Sequence, residues 1–162
     1  MQYSLDQADV IIDLAQQSLK VVKTQQLYCI SSGKNGIGEQ ENSGKTPRGW
    51  HRIAQKIGAE HAKNAVFIGR QWTGEIYNAD LAAEYPERDW ILSRILWLDG
   101  LEENFNCGDG CDTFKRYIYI HGTPDTEPMG IPMSHGCIRM HNTEVIDIFN
   151  LLNEGDLVYL VE

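Results

Sequence analysis

A chain of 162 residues has the length of one domain that can bury its own core without help from metals or crosslinks. Its 14 Lys and Arg against 23 Asp and Glu give a formal net charge of −9, which disfavours a nucleic-acid or anionic-membrane partner. No stretch approaches the roughly twenty apolar residues that cross a bilayer. The start, Met1 to Gln7, has neither a basic end nor an apolar run, so a cytoplasmic location is expected unless a leader precedes it.

Asp9 to Asp13, Ser18 to Lys23 and Gln25 to Ser31 read as short strands joined by polar reversals, an antiparallel meander. Ser32 to Gly49 follows as a long loop rich in Gly, Ser, Asn and Lys, a length that usually marks function. Trp50 to Ile57, Ala65 to Arg70 and Gly74 to Tyr77 are further strands. The acidic stretch Asn78 to Arg88 is read as a helix or a lid, with Glu84, Glu87 and Asp89 forming a solvated face. Asp89 to Leu98 returns to strand character and places Arg94 among leucines. There it needs either an edge ion pair or a carboxylate to receive in a cleft.

Lys115 to Gly122 alternates β-branched and aromatic residues, so Tyr117, Tyr119 and His121 share one strand face opposite Ile118 and Ile120. After a loop with three prolines comes Pro132 to Asn142, which carries Ser134, His135, Gly136, Cys137, Arg139 and His141 within eleven positions. Asn142 is placed to cap a helix in which Val145, Ile148, Phe149 and Leu152 recur at helical spacing. Gly155 stops that helix before the strand Asp156 to Val161.

A cysteine acts as a nucleophile through its thiolate, which an imidazole, a cation or a helix N-terminus favours. Cys137 has candidates for each. His135, two residues away, tends to point elsewhere on an extended backbone, whereas His121 at a strand end is better placed as base if Cys137 returns against that strand. Gly136 permits a tight turn, and the N–H groups of Gly136 and Cys137 are candidate oxyanion donors. No Asp or Asn is obviously set to orient His121, so the carbonyl of Gly122 is the expected partner. Ser134 is assigned to fixing the turn and His135 to a structural or oxyanion-side hydrogen bond. Of the other cysteines, Cys29 reads as a buried thiol. Cys107 and Cys111 are open between a short disulfide, half a metal site and two loop thiols.

His121-Gly122, then Ser134-His135-Gly136-Cys137 with the His sixteen positions before the Cys, then Arg139 and Asn142, resembles the YkuD-type L,D-transpeptidase catalytic domain. The resemblance extends to Asp9 to Val22, to Thr46-Pro47-Arg48-Gly49 and to Gly155 to Val161. Arg139 stands where the family often has Asn. The resemblance implies a single domain over residues 1–162, mainly β, a sandwich of mixed strands with one helix beside Cys137. It implies Cys137 and His121 as the catalytic pair. The residues themselves offer Gly136, His135, Gly122 and Ser134 as oxyanion or orienting groups, and Arg139, Arg94 and Tyr119 as candidates to bind substrate. No metal and no cofactor is called for. The implied partner is a peptidoglycan-derived tetrapeptide or muropeptide, cleaved between the third residue, usually meso-diaminopimelate, and D-Ala. Hydrolysis of the thioester gives an L,D-carboxypeptidase of peptidoglycan recycling; transfer to an amine gives a 3-3 crosslink or exchange of the terminal D-amino acid.

Overall fold

The computed structural model describes residues 3–162. A short 3-10 helix, Leu5–Gln7, precedes ten strands and two α-helices. The strands are β1 (Val10–Asp13), β2 (Ser18–Val21), β3 (Gln26–Cys29), β4 (Gly49–Ile57), β5 (Ala65–Ile68), β6 (Gln71–Ile76), β7 (Ile91–Gly100), β8 (Tyr119–Thr123), β9 (Ile138–His141) and β10 (Leu157–Val161). Helix α1 (Ala79–Glu84) follows β6 and helix α2 (Asn142–Leu151) follows β9. The strands join in one mixed sheet that curls into a half-barrel, ordered β3-β2-β1-β10-β4-β7-β5-β6, with β8 on β7 and β9 on β8. The fold is mainly β, as its strand-like alternation predicts.

Strand β7 is the hub. It takes β4 and β5 antiparallel and β8 along its other edge. Because side chains alternate across a strand, β7 and β8 serve two cores at once. Leu96, Leu98 and Ile120 join Ile138, Met140 and the α2 residues Val145, Ile148 and Phe149 in the main cluster. On the opposite face Ile95, Trp97 and Tyr119 pack with Ala65 and Phe67, and Cys137 rests against this second cluster.

Between Leu92 and Ile95 the pairing of β7 with β8 shifts register, leaving Ser93 and Arg94 as a bulge opposite the His121–Gly122 peptide. Ser93 adopts φ +70°, a left-handed conformation that only surrounding contacts can hold. Its hydroxyl supplies them by donating to Asn142 Oδ1 at 2.6 Å and accepting the Asn64 N–H at 2.9 Å. Asn142 Nδ2 in turn donates to the Thr123 carbonyl at 2.9 Å, so one fully buried amide joins β7, the end of β8 and the start of α2.

This network corrects the sequence reading of Asn142 as a helix cap. His141 is the N-cap residue and makes no side-chain cap bond, while the Asn142 side chain points into the sheet. Three other expectations change. The strand expected from Lys115 begins only at Tyr119, because Asp112 ties the preceding turn by accepting the Arg116 N–H at 2.9 Å and the Lys115 N–H at 3.0 Å. Tyr117 sits in that turn at φ +58°, not on a strand face. Cys29 is exposed, since β3 turns Tyr28 inward. The stretch Asn78 to Arg88 is helical over α1, with Asn78 Oδ1 accepting the Leu81 N–H at 2.8 Å.

Replacing Asn142 by Ala strands the Ser93 hydroxyl and the Thr123 carbonyl in a dry interior, a loss of about 2–3 kcal/mol. Urea denaturation should show the transition midpoint falling with its slope preserved; an unchanged midpoint contradicts this account of the bulge.

Candidate active site

Strands β8 and β9 run parallel, with Ile120 opposite Ile138 and His121 opposite Arg139. That register carries Cys137, the residue just before β9, against Tyr119, whose N–H donates to Sγ at 3.3 Å. Tyr119 and His121 lie two positions apart on β8 and so share a face. The thiol and the imidazole therefore occupy adjoining strands on one side of the sheet. His121 is buried, and its Nδ1 donates to the Gly122 carbonyl at 2.6 Å. A carbonyl can only accept, so Nδ1 carries the proton and Nε2 is left with its lone pair. A Cβ on Gly122 would meet the Leu92 carbonyl at 2.5 Å and Asn142 Oδ1 at 2.6 Å, so glycine alone fits there.

The turn that presents Cys137 is pinned from inside. Ser134 Oγ donates to the Cys137 carbonyl at 2.6 Å and accepts the Gly136 N–H at 3.1 Å. Gly136, at φ +126°, gives its carbonyl to Thr46 Oγ1 at 2.8 Å, and Thr46 Oγ1 also accepts the Gly33 N–H at 2.8 Å. Thr46 of the long glycine-rich loop thus fastens that loop to the residue before the nucleophile. The Gly136 N–H is spent on Ser134, which corrects its expected role as an oxyanion donor.

The sulfur is a neutral thiol in this arrangement. It donates to the Tyr117 carbonyl at 3.3 Å while accepting from Tyr119. Burial pushes the Cys137 thiol up to about 12; Tyr119, Arg139 and Arg116 work against that shift and Asp89 adds to it. Burial also lowers His121, partly offset by Gly122 and Asp89. Both partners are uncharged near neutrality, so this is not a preformed thiolate–imidazolium pair.

Asp89, read from sequence as part of a solvated face, is exposed with Glu84 and Glu87, and it also reaches across to Arg139 and His135. Its Oδ1 accepts from Arg139 at 3.0 Å and its Oδ2 lies 3.4 Å from His135 Nδ1. Burial alone would raise it, but His121, Arg139 and His135 hold it below the usual carboxylate range. Arg139 also donates to the Met133 carbonyl at 3.3 Å, so a substrate carboxylate reaching it competes with Asp89. Arg94 is not brought to the site and is not paired with a carboxylate. The bulge turns it away to donate to the carbonyls of His61 at 2.9 Å and Ser93 at 2.6 Å, over the Phe149 ring. His135 is exposed, and Tyr119 is buried beside Cys137. Cys107 and Cys111 are free thiols. Among the described residues no group of three or more His, Cys, Asp and Glu could hold a metal ion.

Against known proteins, the YkuD family model, described as the L,D-transpeptidase catalytic domain, matches residues 7–160. The chain belongs to the YkuD family. It is 41% identical over 54 residues to the putative L,D-transpeptidase YqjB of Bacillus subtilis, covering 33% of this chain and 31% of that protein. It is 41% identical over 44 residues to YkuD of the same organism, covering 27% of each. The matched stretches thus span about a third or less of these curated relatives. Among solved structures, an L,D-transpeptidase from Mycobacterium smegmatis superposes with TM-score 0.56 at 16% identity, covering 96% of this chain and 59% of that one. L,D-transpeptidase 3 from Mycobacterium tuberculosis, in complex with a faropenem-derived adduct, gives TM-score 0.56 at 15% identity, covering 94% and 59%. At such identities the likeness is one of fold, the YkuD fold of a Cys-dependent class of enzymes.

Within this YkuD domain Asp89 raises the thiol of Cys137, so removing its charge should lower that pKa. Asp89→Asn is expected to increase the rate of Cys137 alkylation by iodoacetamide at pH 8 severalfold, read by mass spectrometry of the labelled peptide. A rate unchanged or reduced contradicts the assigned coupling.

Proposed function

We propose that Cys137 attacks the carbonyl joining the third residue of a peptidoglycan stem tetrapeptide to its terminal D-Ala, and that water then resolves the thioester, an L,D-carboxypeptidase reaction. The observation that carries this reading is the imidazole of His121, its Nδ1 committed to Gly122 and its lone pair free on the face that holds the thiol. As the sulfur bonds to the carbonyl carbon, its proton passes to His121 Nε2. The developing oxyanion is received by the Cys137 N–H, the backbone donor on the nucleophile itself. His121 returns the proton to the departing amine of D-Ala, leaving a thioester on Cys137. A water molecule, deprotonated by the same nitrogen, attacks the thioester and regenerates the thiol with release of a tripeptide acid. The partial exposure of Cys137 supports access of water. The proposal includes a cytoplasmic setting, in which soluble muropeptides are the substrate.

One feature favours transfer as the second reading. A cleft of about 410 Å³, lined by Glu41, Lys115, Arg116, Tyr117 and His135 among others, opens beside the nucleophile turn and has room for a second peptide bearing the accepting amine. Incubation with disaccharide tetrapeptide, with and without a second stem or a D-amino acid, separates the two by mass spectrometry. Tripeptide formation supports hydrolysis, a 3-3 dimer or exchanged terminus supports transfer, and intact tetrapeptide under both conditions rejects both.

Activity requires neutral His121, whose pKa lies below its ordinary 6.5. The acidic limb of kcat/KM against pH should therefore have its midpoint under 6.5, with activity retained above it. A midpoint above 7 would remove His121 as the base. Replacing His121 with Gln is expected to lower kcat/KM by about 10²–10⁴, and Cys137→Ala to abolish product, both with folding intact by circular dichroism.

A further inference from the structure

We propose that Arg70 determines specificity by receiving the C-terminal carboxylate of the peptide that acylates Cys137, an inference that rests on the reaction proposed above. Arg70 stands in the two-residue turn between β5 and β6, half-exposed over the sheet face that holds the nucleophile. Its guanidinium carbon lies 4.9 Å from the Trp97 ring centre and 4.8 Å from that of Tyr117, and one terminal nitrogen donates to the Tyr119 hydroxyl at 3.0 Å. Tyr119 is also the residue whose N–H holds the sulfur of Cys137, at 3.3 Å. One residue thus touches the reacting sulfur with its backbone and the guanidinium with its phenol.

Three observations separate Arg70 from the other arginines of the site. Among the described residues no carboxylate pairs with it, although the chain carries 23 acidic residues. Arg139 already has Asp89, while Arg94 and Arg116 are turned onto backbone carbonyls. Stacking on aromatic faces orients a guanidinium while leaving its edge donors open, the geometry that grips a carboxylate with two parallel hydrogen bonds. The backbone adds a third. Gly69 and Arg70 both have left-handed φ, +56° and +67°, in a two-residue hairpin of the kind that favours Asn and Gly. Arginine is a poor choice for that turn, so its presence there points to its head group rather than to the bend. In a substrate with a D-amino acid leaving group, the terminal carboxylate lies three bonds from the scissile carbonyl, so its receptor must stand near the nucleophile, and Tyr119 is the residue that Arg70 and Cys137 share.

Arg70→Asn removes the guanidinium and suits the left-handed turn, so the fold is expected to persist, checked by thermal melting. Binding is measured by calorimetry in the Cys137→Ala background, where no turnover is needed, with a tetrapeptide ending in D-Ala as free acid or as amide. With Arg70 present the acid should bind about tenfold more tightly than the amide, the scale of a charge-assisted bidentate pair. With Arg70→Asn the preference should shrink to within about twofold, and Arg70→Lys should recover part of it. The proposal is overturned if the preference survives Arg70→Asn, if both peptides weaken alike, or if the Arg70-bearing protein shows no acid preference or no binding. Product analysis of the wild-type chain on the acid peptide tests the reaction separately, so selective binding without turnover rejects the chemistry and leaves the receptor standing.

Discussion

The parallel pairing of β8 with β9 is the constraint on which the site depends. Parallel strands need a crossover, and here the crossover is the loop from 124 to 137 that delivers the nucleophile turn. Because the register sets Ile120 opposite Ile138, the residue before β9 must arrive at Tyr119, on the imidazole's side of the sheet. A slip of one residue would send Cys137 to the other face, into the core filled by α2. The apolar partners that fix the register, Ile120, Ile138 and Met140, are wholly buried, so the same contacts that stabilise the domain also align its chemistry.

Around that pair the protein balances charge without leaving any on the reacting atoms. Asp89 neutralises Arg139 and draws in His135, and its field reaches both His121 and Cys137. Burial keeps sulfur and imidazole neutral, and the Gly122 carbonyl sets which nitrogen holds the proton. The order of events in the proposed reaction follows from this balance: the proton leaves sulfur as the carbonyl is attacked, not before.

Much of this was legible in the residues. The Gly122 carbonyl as the imidazole's partner and the turn-fixing contacts of Ser134 lie within short stretches, where local spacing and donor–acceptor chemistry determine geometry. What escaped depended on segments meeting across the fold. Asp89 is separated from Arg139 by 50 positions, so their ion pair left no local signal in the sequence. Arg94 obeyed strand alternation on paper until a bulge rotated it out. Asn142 had the right chemistry for a cap but a stronger claim in the sheet, where two buried groups needed it. Arg70 gave no signal as a lone arginine near a strand end; only the sheet brings Trp97, Tyr117 and Tyr119 beneath it.

The resting sulfur, donating to the Tyr117 carbonyl, carries one further consequence. Burial holds the thiol well above its ordinary range, so little of it is thiolate near neutrality. Peroxides and stray electrophiles react with the anion, so this cysteine is spared the oxidation that threatens partly exposed nucleophiles. Durability between turnovers and dependence on a correctly seated carbonyl are then two results of the same burial.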